Sequence, residues 1–105
     1  MNKYSLWQLV ILGALMVGGL AVAGGDVDAG REKAASCAGC HGAAGEGMGE
    51  NPALAGLDRD NLASVMKEYT TGERTGPMMT MIMQGLSDED IADLAAYYAS
   101  LPGAE

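Results

Sequence analysis

The chain of 105 residues has no phenylalanine, one tryptophan and one histidine. The tryptophan, Trp7, sits in the apolar N-terminal stretch, so the remainder has only Tyr69, Tyr97 and Tyr98 as aromatic side chains. Two cysteines and one histidine are too few for a zinc site built from about four Cys and His ligands. Basic residues are scarce, six against fourteen acidic, for a formal net charge of −8. Arg31, Lys33, Arg59, Lys67 and Arg74 are scattered among carboxylates, which excludes the continuous basic stripe that phosphate backbones require. No internal repeat, low-complexity tract or βαβ pattern is visible. The last absence excludes a thioredoxin-like redox dithiol, whose paired cysteines follow a strand.

What is present is organised around Cys37-Ala38-Gly39-Cys40-His41. Two thiols three positions apart with an imidazole directly after them is the spacing that attaches haem through two thioether bonds and supplies a proximal iron ligand. Cys37 and Cys40 anchor and His41 coordinates in that reading. A short disulfide would use the same cysteines but leave the adjoining histidine without a role. Haem attachment also answers the shortage of aromatic residues. A domain this small buries only about 60% of its unfolded surface, and a covalently held apolar cofactor then forms much of its core.

Residues 1–23 read as a secretory signal. Lys3 is the sole charge before Asp26, an apolar run extends from Leu9 to Val22, and Ala21-Val22-Ala23 is a small-x-small cleavage site ahead of Gly24. A retained membrane anchor is the rival, since the uncharged stretch from Tyr4 to Gly25 is about long enough to span a bilayer. Both readings export the domain, residues 24–105, to the side of a bacterial membrane where haem thioethers are made. Without Lys3, five basic residues face fourteen acidic ones, a net charge of −9.

Helical runs then alternate with glycine-rich connections. The first spans Val27 to Ser36 with Asp28 as the expected N-cap, and Gly30 inside it either frays the turn or admits another helix. Residues 42–49 carry four glycines and form a loop with Met48 in it. A carbonyl of the following Asn51-Pro52-Ala53-Leu54-Ala55-Gly56 segment is placed to accept the outer ring N–H of His41. Asp58 or Asp60 caps a second helix with Leu62, Val65, Met66 and Tyr69 on one face, ended by Thr70-Thr71-Gly72. Pro77-Met78-Met79-Thr80-Met81-Ile82-Met83 offers four thioethers, of which at most one completes the sixth iron position. The others are adaptable filler. Ser87-Asp88-Glu89-Asp90 opens the last helix, with Ile91, Leu94, Ala95 and Tyr98 on its apolar face and Leu101-Pro102-Gly103 as its stop.

From about Asp26 to Leu101 these pieces, in this order, resemble the class I c-type cytochromes of the small, soluble, bacterial monohaem branch. The matching pieces are Gly30 seven residues before Cys37, the Cys37 to Gly42 motif, Pro52 to Gly56, Gly72-Glu73-Arg74, Pro77-Met78-Met79, and Leu86 to Tyr98. The resemblance implies an all-α cytochrome c fold of three to five helices around one covalent haem, with the first and last helices crossing where Gly30 meets Tyr97. It implies that the Pro52 carbonyl receives the His41 ring proton. Counting back from the Leu-Ser-Asp start of the last helix, it makes Met79 the distal ligand, with Met78 the runner-up and Met81 and Met83 behind.

The function expected is a periplasmic electron carrier without enzymatic activity, shuttling single electrons through haem c ligated by His41 and Met79. Its expected partners are redox proteins with basic docking patches. Nucleic acid and small-molecule substrates are not expected, and a membrane enters only if residues 1–23 are retained. The alternatives are a haem-bearing subunit of a larger redox enzyme, or a haem sensor or peroxidase whose sixth position is open.

Overall fold

A computed structural model describes residues 24–103, which form five helices: α1 Val27–Lys33, α2 Ala35–His41, α3 Arg59–Thr71, α4 Met79–Gln84 and α5 Asp88–Ser100. The signal-or-anchor reading of residues 1–23 lies outside the described residues. None of the described helices is long and apolar enough to cross a membrane.

The cap of α1 is Asp26, not Asp28 as the sequence suggested. Asp26 is extended (φ −116°, ψ 118°), and its carboxylate accepts from the N–H groups of Asp28 and Ala29. Asp28 is already inside the first turn, where a side chain cannot cap its own helix; it pairs with Arg31 at 2.7 Å instead. The helical run also stops earlier than expected, at Ala34. A second short helix, α2, continues from there to His41, so the whole cysteine–histidine motif is helical.

In α3 the choice left open falls on Asp58, which accepts from Asn61 N–H at 2.9 Å, and Gly72 ends the helix with φ +87°. The face anticipated for α3 is turned inward, with Leu62 and Met66 buried. Helix α4 had no expectation attached to it. Six residues cannot display a 3.6-residue period, and no side chain caps its N-terminus. Met83 on α4 is nonetheless buried, so the helix is held by its packing.

Helix α5 begins with a reciprocal capping box: Ser87 Oγ accepts from Asp90 N–H, and the Asp90 carboxylate accepts from Ser87 N–H. Ile91, Leu94, Ala95 and Tyr98 are all buried, as their spacing requires. Ile91 and Leu94 each contribute about 1.5–3 kcal/mol by leaving water.

The α1–α5 crossing organises the molecule. A Cβ on Gly30 would stand 2.0 Å from the Asp93 carbonyl oxygen and 2.7 Å from Tyr97 Cβ, so only glycine allows the two backbones this close. The Arg31 guanidinium lies 5.7 Å from the centre of the Tyr97 ring. Next to the crossing, Asp93 is a buried carboxylate in the middle of an otherwise apolar face. One of its oxygens accepts from Asp26 N–H at 2.8 Å and the other from Lys33 Nζ at 2.5 Å. Lys33 also reaches Asp90 at 2.8 Å, so one ammonium from α1 bridges two carboxylates of α5.

Gly30→Ala should force the crossing apart and lower the unfolding free energy by about 1–3 kcal/mol, the usual cost of overpacking. Gly39→Ala, where a Cβ would meet nothing within 4 Å, should cost nothing and gain up to about 1 kcal/mol of helix propensity. Guanidinium unfolding of the two variants checks the contrast.

Hydrogen bonding from Lys33, then from Ser87 N–H, holds Asp90 down at about 2. Lys33, followed by Asp26 N–H, likewise lowers Asp93, while Asp90 and then Asp93 raise Lys33. An unfolded aspartate titrates near about 3.9, so the stability these carboxylates add is full above that pH and is lost as pH falls towards about 2. The contribution of Lys33 is full below about pH 10.4 and is lost only on the far alkaline side. Lys33→Met should therefore start the acid-unfolding limb at higher pH, as followed by helical circular dichroism. An acid limb unchanged in the variant would show that the network does not act across the crossing.

Candidate functional site

On helix α2, Cys37, Cys40 and His41 occupy positions i, i+3 and i+4, which share one helix face. Both cysteines are free thiols, Cys37 half-buried and Cys40 exposed. His41 is 5% exposed. All three line one cavity of about 320 Å³.

The histidine is held by the glycine-rich loop that follows it. Its Nδ1 lies 2.8 Å from the Pro52 carbonyl oxygen. A carbonyl can only accept, so Nδ1 carries the proton and the lone pair is on Nε2, the nitrogen free to bind a metal. The loop earns this placement through its own bonds. Gly47 N–H donates to the His41 carbonyl at 2.7 Å, Met48 and Asn51 exchange two backbone hydrogen bonds, and the Gly45 carbonyl accepts from both Leu54 and Ala55 N–H. Gly45 sits at φ +69°, and a Cβ there would stand 2.8 Å from the Tyr98 ring, so the loop closes onto α5 only with glycine at that position.

Further lining comes from α4 and the residue before it. Met79 is half-buried and lines the cavity; Met78 lines it too but is 59% exposed. Met83 also lines it, as a buried side chain, whereas Met81 is 68% exposed and does not. Leu62, Val65, Met66 and Tyr69 of α3 and Leu94 and Tyr98 of α5 complete apolar walls. Burial, and after it the neighbouring Cys37 thiol, pushes the Tyr98 phenol up, so it stays neutral.

Of the candidate ligand and anchor residues, Cys37, Cys40, His41, Pro52, Met78, Met79 and Met83 border a single cavity, and Met81 does not. Tyr98, Asn51 and Ile82 border it as well and had not been assigned to it. Tyr98 was visible only as part of an apolar stripe, and Asn51 only as the neighbour of Pro52. The donor set fits a covalently attached haem: two thiols on one helix face, an imidazole with a fixed tautomer, soft thioethers in the same cavity, and apolar side chains lining the rest.

The family model described as cytochrome c matches residues 27–102. Cytochrome c4 of Pseudomonas aeruginosa is 46% identical over 101 residues, which cover 95% of this chain and 49% of that protein. Cytochrome c-554(548) of Halomonas halodenitrificans is 48% identical over 80 residues, covering 72% of this chain and 96% of that one. Among solved structures, a thiosulfate dehydrogenase from Marichromatium purpuratum superposes with a TM-score of 0.70 at 35% identity, covering 74% of this chain and 19% of that one. The chain spans about half the length of the cytochrome c4 relatives that it matches.

Proposed function

The chain belongs to the cytochrome c family, and from that premise we propose that it is an exported electron carrier working through one haem c. Haem, when bound, supplies a one-electron ferrous–ferric couple. Cys37 and Cys40 would hold it by thioethers, and the C-x-x-C-H of this sequence supports a count of one. His41 serves as proximal ligand through Nε2, with Pro52 keeping its ring oriented. Met79 serves as distal ligand; a thioether favours the ferrous state and raises the reduction potential. The apolar walls keep water away from these ligands, so little rearranges when an electron enters or leaves.

What supports this reading is the meeting of the α2 motif, the Pro52 carbonyl and the methionines of the α4 segment around one apolar cavity. The periplasm is the proposed location, on the strength of the leader-like residues 1–23. The proposed partners are redox proteins with basic docking patches, touching the carrier over less than about 1,200 Å². A second reading, an electron-transfer domain of a larger redox enzyme, draws on the likeness to thiosulfate dehydrogenase. Persistent co-purification with a catalytic subunit would favour it over free diffusion.

Ferric protein should show the weak red absorption band of sulfur-ligated haem, and Met79→Ala should abolish it. Survival of the band would move the ligand to another methionine, and high-spin iron that binds CO readily in the parent protein would favour an open-site sensor.

Association with a basic redox partner should slow as salt is added, because charge on the carrier acts mainly on encounter. Stopped-flow rates indifferent to ionic strength would remove the basic-patch proposal while leaving the haem ligation untouched.

A further inference from the structure

Met78, Met79, Met81 and Met83 fall within one short segment, and the structure divides them into two pairs. Met79 and Met83, with Ile82 between them, line the cavity, Met79 half-buried and Met83 buried. Met78 and Met81 are the exposed pair, at 59% and 68%. The backbone of Met78 is already helical (φ −97°, ψ −40°), so the two are spaced i, i+3 along one turn, where Cβ atoms stand about 5–6 Å apart. Residues 75–87 contain no Asp, Glu, Lys, Arg, His or Cys. The polar side chains from residue 76 onward are engaged: Thr80 Oγ1 accepts from Gly76 N–H at 2.9 Å, Gln84 donates to the Tyr69 carbonyl at 3.2 Å, and Ser87 caps α5. The side-chain donors left over on this turn are two thioether sulfurs.

We propose that Met78 and Met81 form a site for a soft monovalent cation, cuprous ion, held between their two sulfurs on the outer side of the α4 segment. Thioethers are neutral, soft ligands that select Cu(I), whereas calcium and magnesium require oxygen donors, which this turn does not offer from its side chains. A closed-shell d10 ion has no geometric preference from its d electrons, so two sulfurs can serve with solvent completing the shell. Each methionine has three rotatable bonds and adapts its reach to the ion. Two donors on one turn bind as a chelate, the second at high effective concentration once the first is engaged. The acidic surface of the molecule, with a formal net charge of −8, draws cations towards it without placing a carboxylate in the run itself.

The proposal goes beyond the carrier reading and rests on it in one respect, that Met79 and not Met78 binds the iron. Met48 supplies an internal control: it is 51% exposed and has no second methionine within four residues. Haem-loaded, exported protein, reduced with ascorbate and kept free of oxygen, is titrated with cuprous ion as its acetonitrile complex while the methionine methyl groups are followed by nuclear magnetic resonance. The methyl signals of Met78 and Met81 should shift together and saturate at one ion per chain, at a concentration at least about tenfold below that which shifts Met48. Met81→Leu, outside the cavity lining, should bring Met78 to the response of Met48, with the red absorption band of the ferric protein retained. Signals of Met78 and Met81 that move no earlier than Met48, or that move independently, overturn the proposal, as does a Met78 response unchanged by Met81→Leu. The comparison with Met48 in the parent protein decides by itself if the variant fails to fold. The methyl group of the iron-bound methionine is displaced by the haem ring current in the same spectrum, so a Met78 ligand would be recognised separately and would also overturn the site.

Discussion

The close approach of α1 to α5 at Gly30 is the constraint from which the rest of the structure follows. With no Cβ between them, the backbone of α1 rests on the Asp93 carbonyl and on Tyr97. Lys33 and Asp26 then reach the buried Asp93 carboxylate. Because α2 continues directly from α1, fixing the crossing also fixes where the Cys37–His41 face is directed. A wider crossing would leave Asp93 buried without its ammonium, and an unpaired buried charge costs far more than an exposed pair gains. Steric and electrostatic demands therefore act on the same few residues.

A second constraint works on the histidine. His41 belongs to α2, but the orientation of its ring is set by a carbonyl eleven residues later, in a loop secured to the Gly45 carbonyl and, through Gly56 N–H, to the Tyr98 carbonyl of α5. The last helix thus takes part at both ends of the arrangement, carrying one side of the crossing and anchoring the loop that orients the imidazole. This explains why a motif of five residues is not sufficient by itself to prepare the site.

Local features were the legible ones. The capping box at Ser87 and Asp90 and the stripe Ile91, Leu94, Ala95, Tyr98 use interactions within four residues of one another, and the structure has them where spacing put them. The all-α architecture and the helix crossing were legible through the resemblance to class I c-type cytochromes rather than through periodicity. Asp26 displaced Asp28 as the cap because capping depends on one residue's backbone angles, which two nearby aspartates do not distinguish in sequence. Helix α4 escaped notice because its six residues are ordered by tertiary packing. Asp93 looked like one more acidic surface residue; its partners Asp26 and Lys33 lie 67 and 60 positions away, beyond any local pattern. The same holds for the cavity, whose walls are drawn from four helices and one loop.

The cavity also bears on why the cofactor is joined covalently. Side chains around a void lack dispersion partners on one side, and about 320 Å³ of such space is a large defect for a domain with three tyrosines and no larger ring outside its N-terminal segment. A group that fills the space in the folded state alone stabilises that state by mass action. Ligand bonds to iron would be lost each time so small a domain opened, and with them the cofactor. The proposed thioethers on α2 would keep it attached through such openings, making refilling of the cavity an intramolecular event at high effective concentration. The scarcity of aromatic residues and the covalent motif are then two aspects of one solution, in which part of the hydrophobic core is supplied by a prosthetic group that the chain does not release.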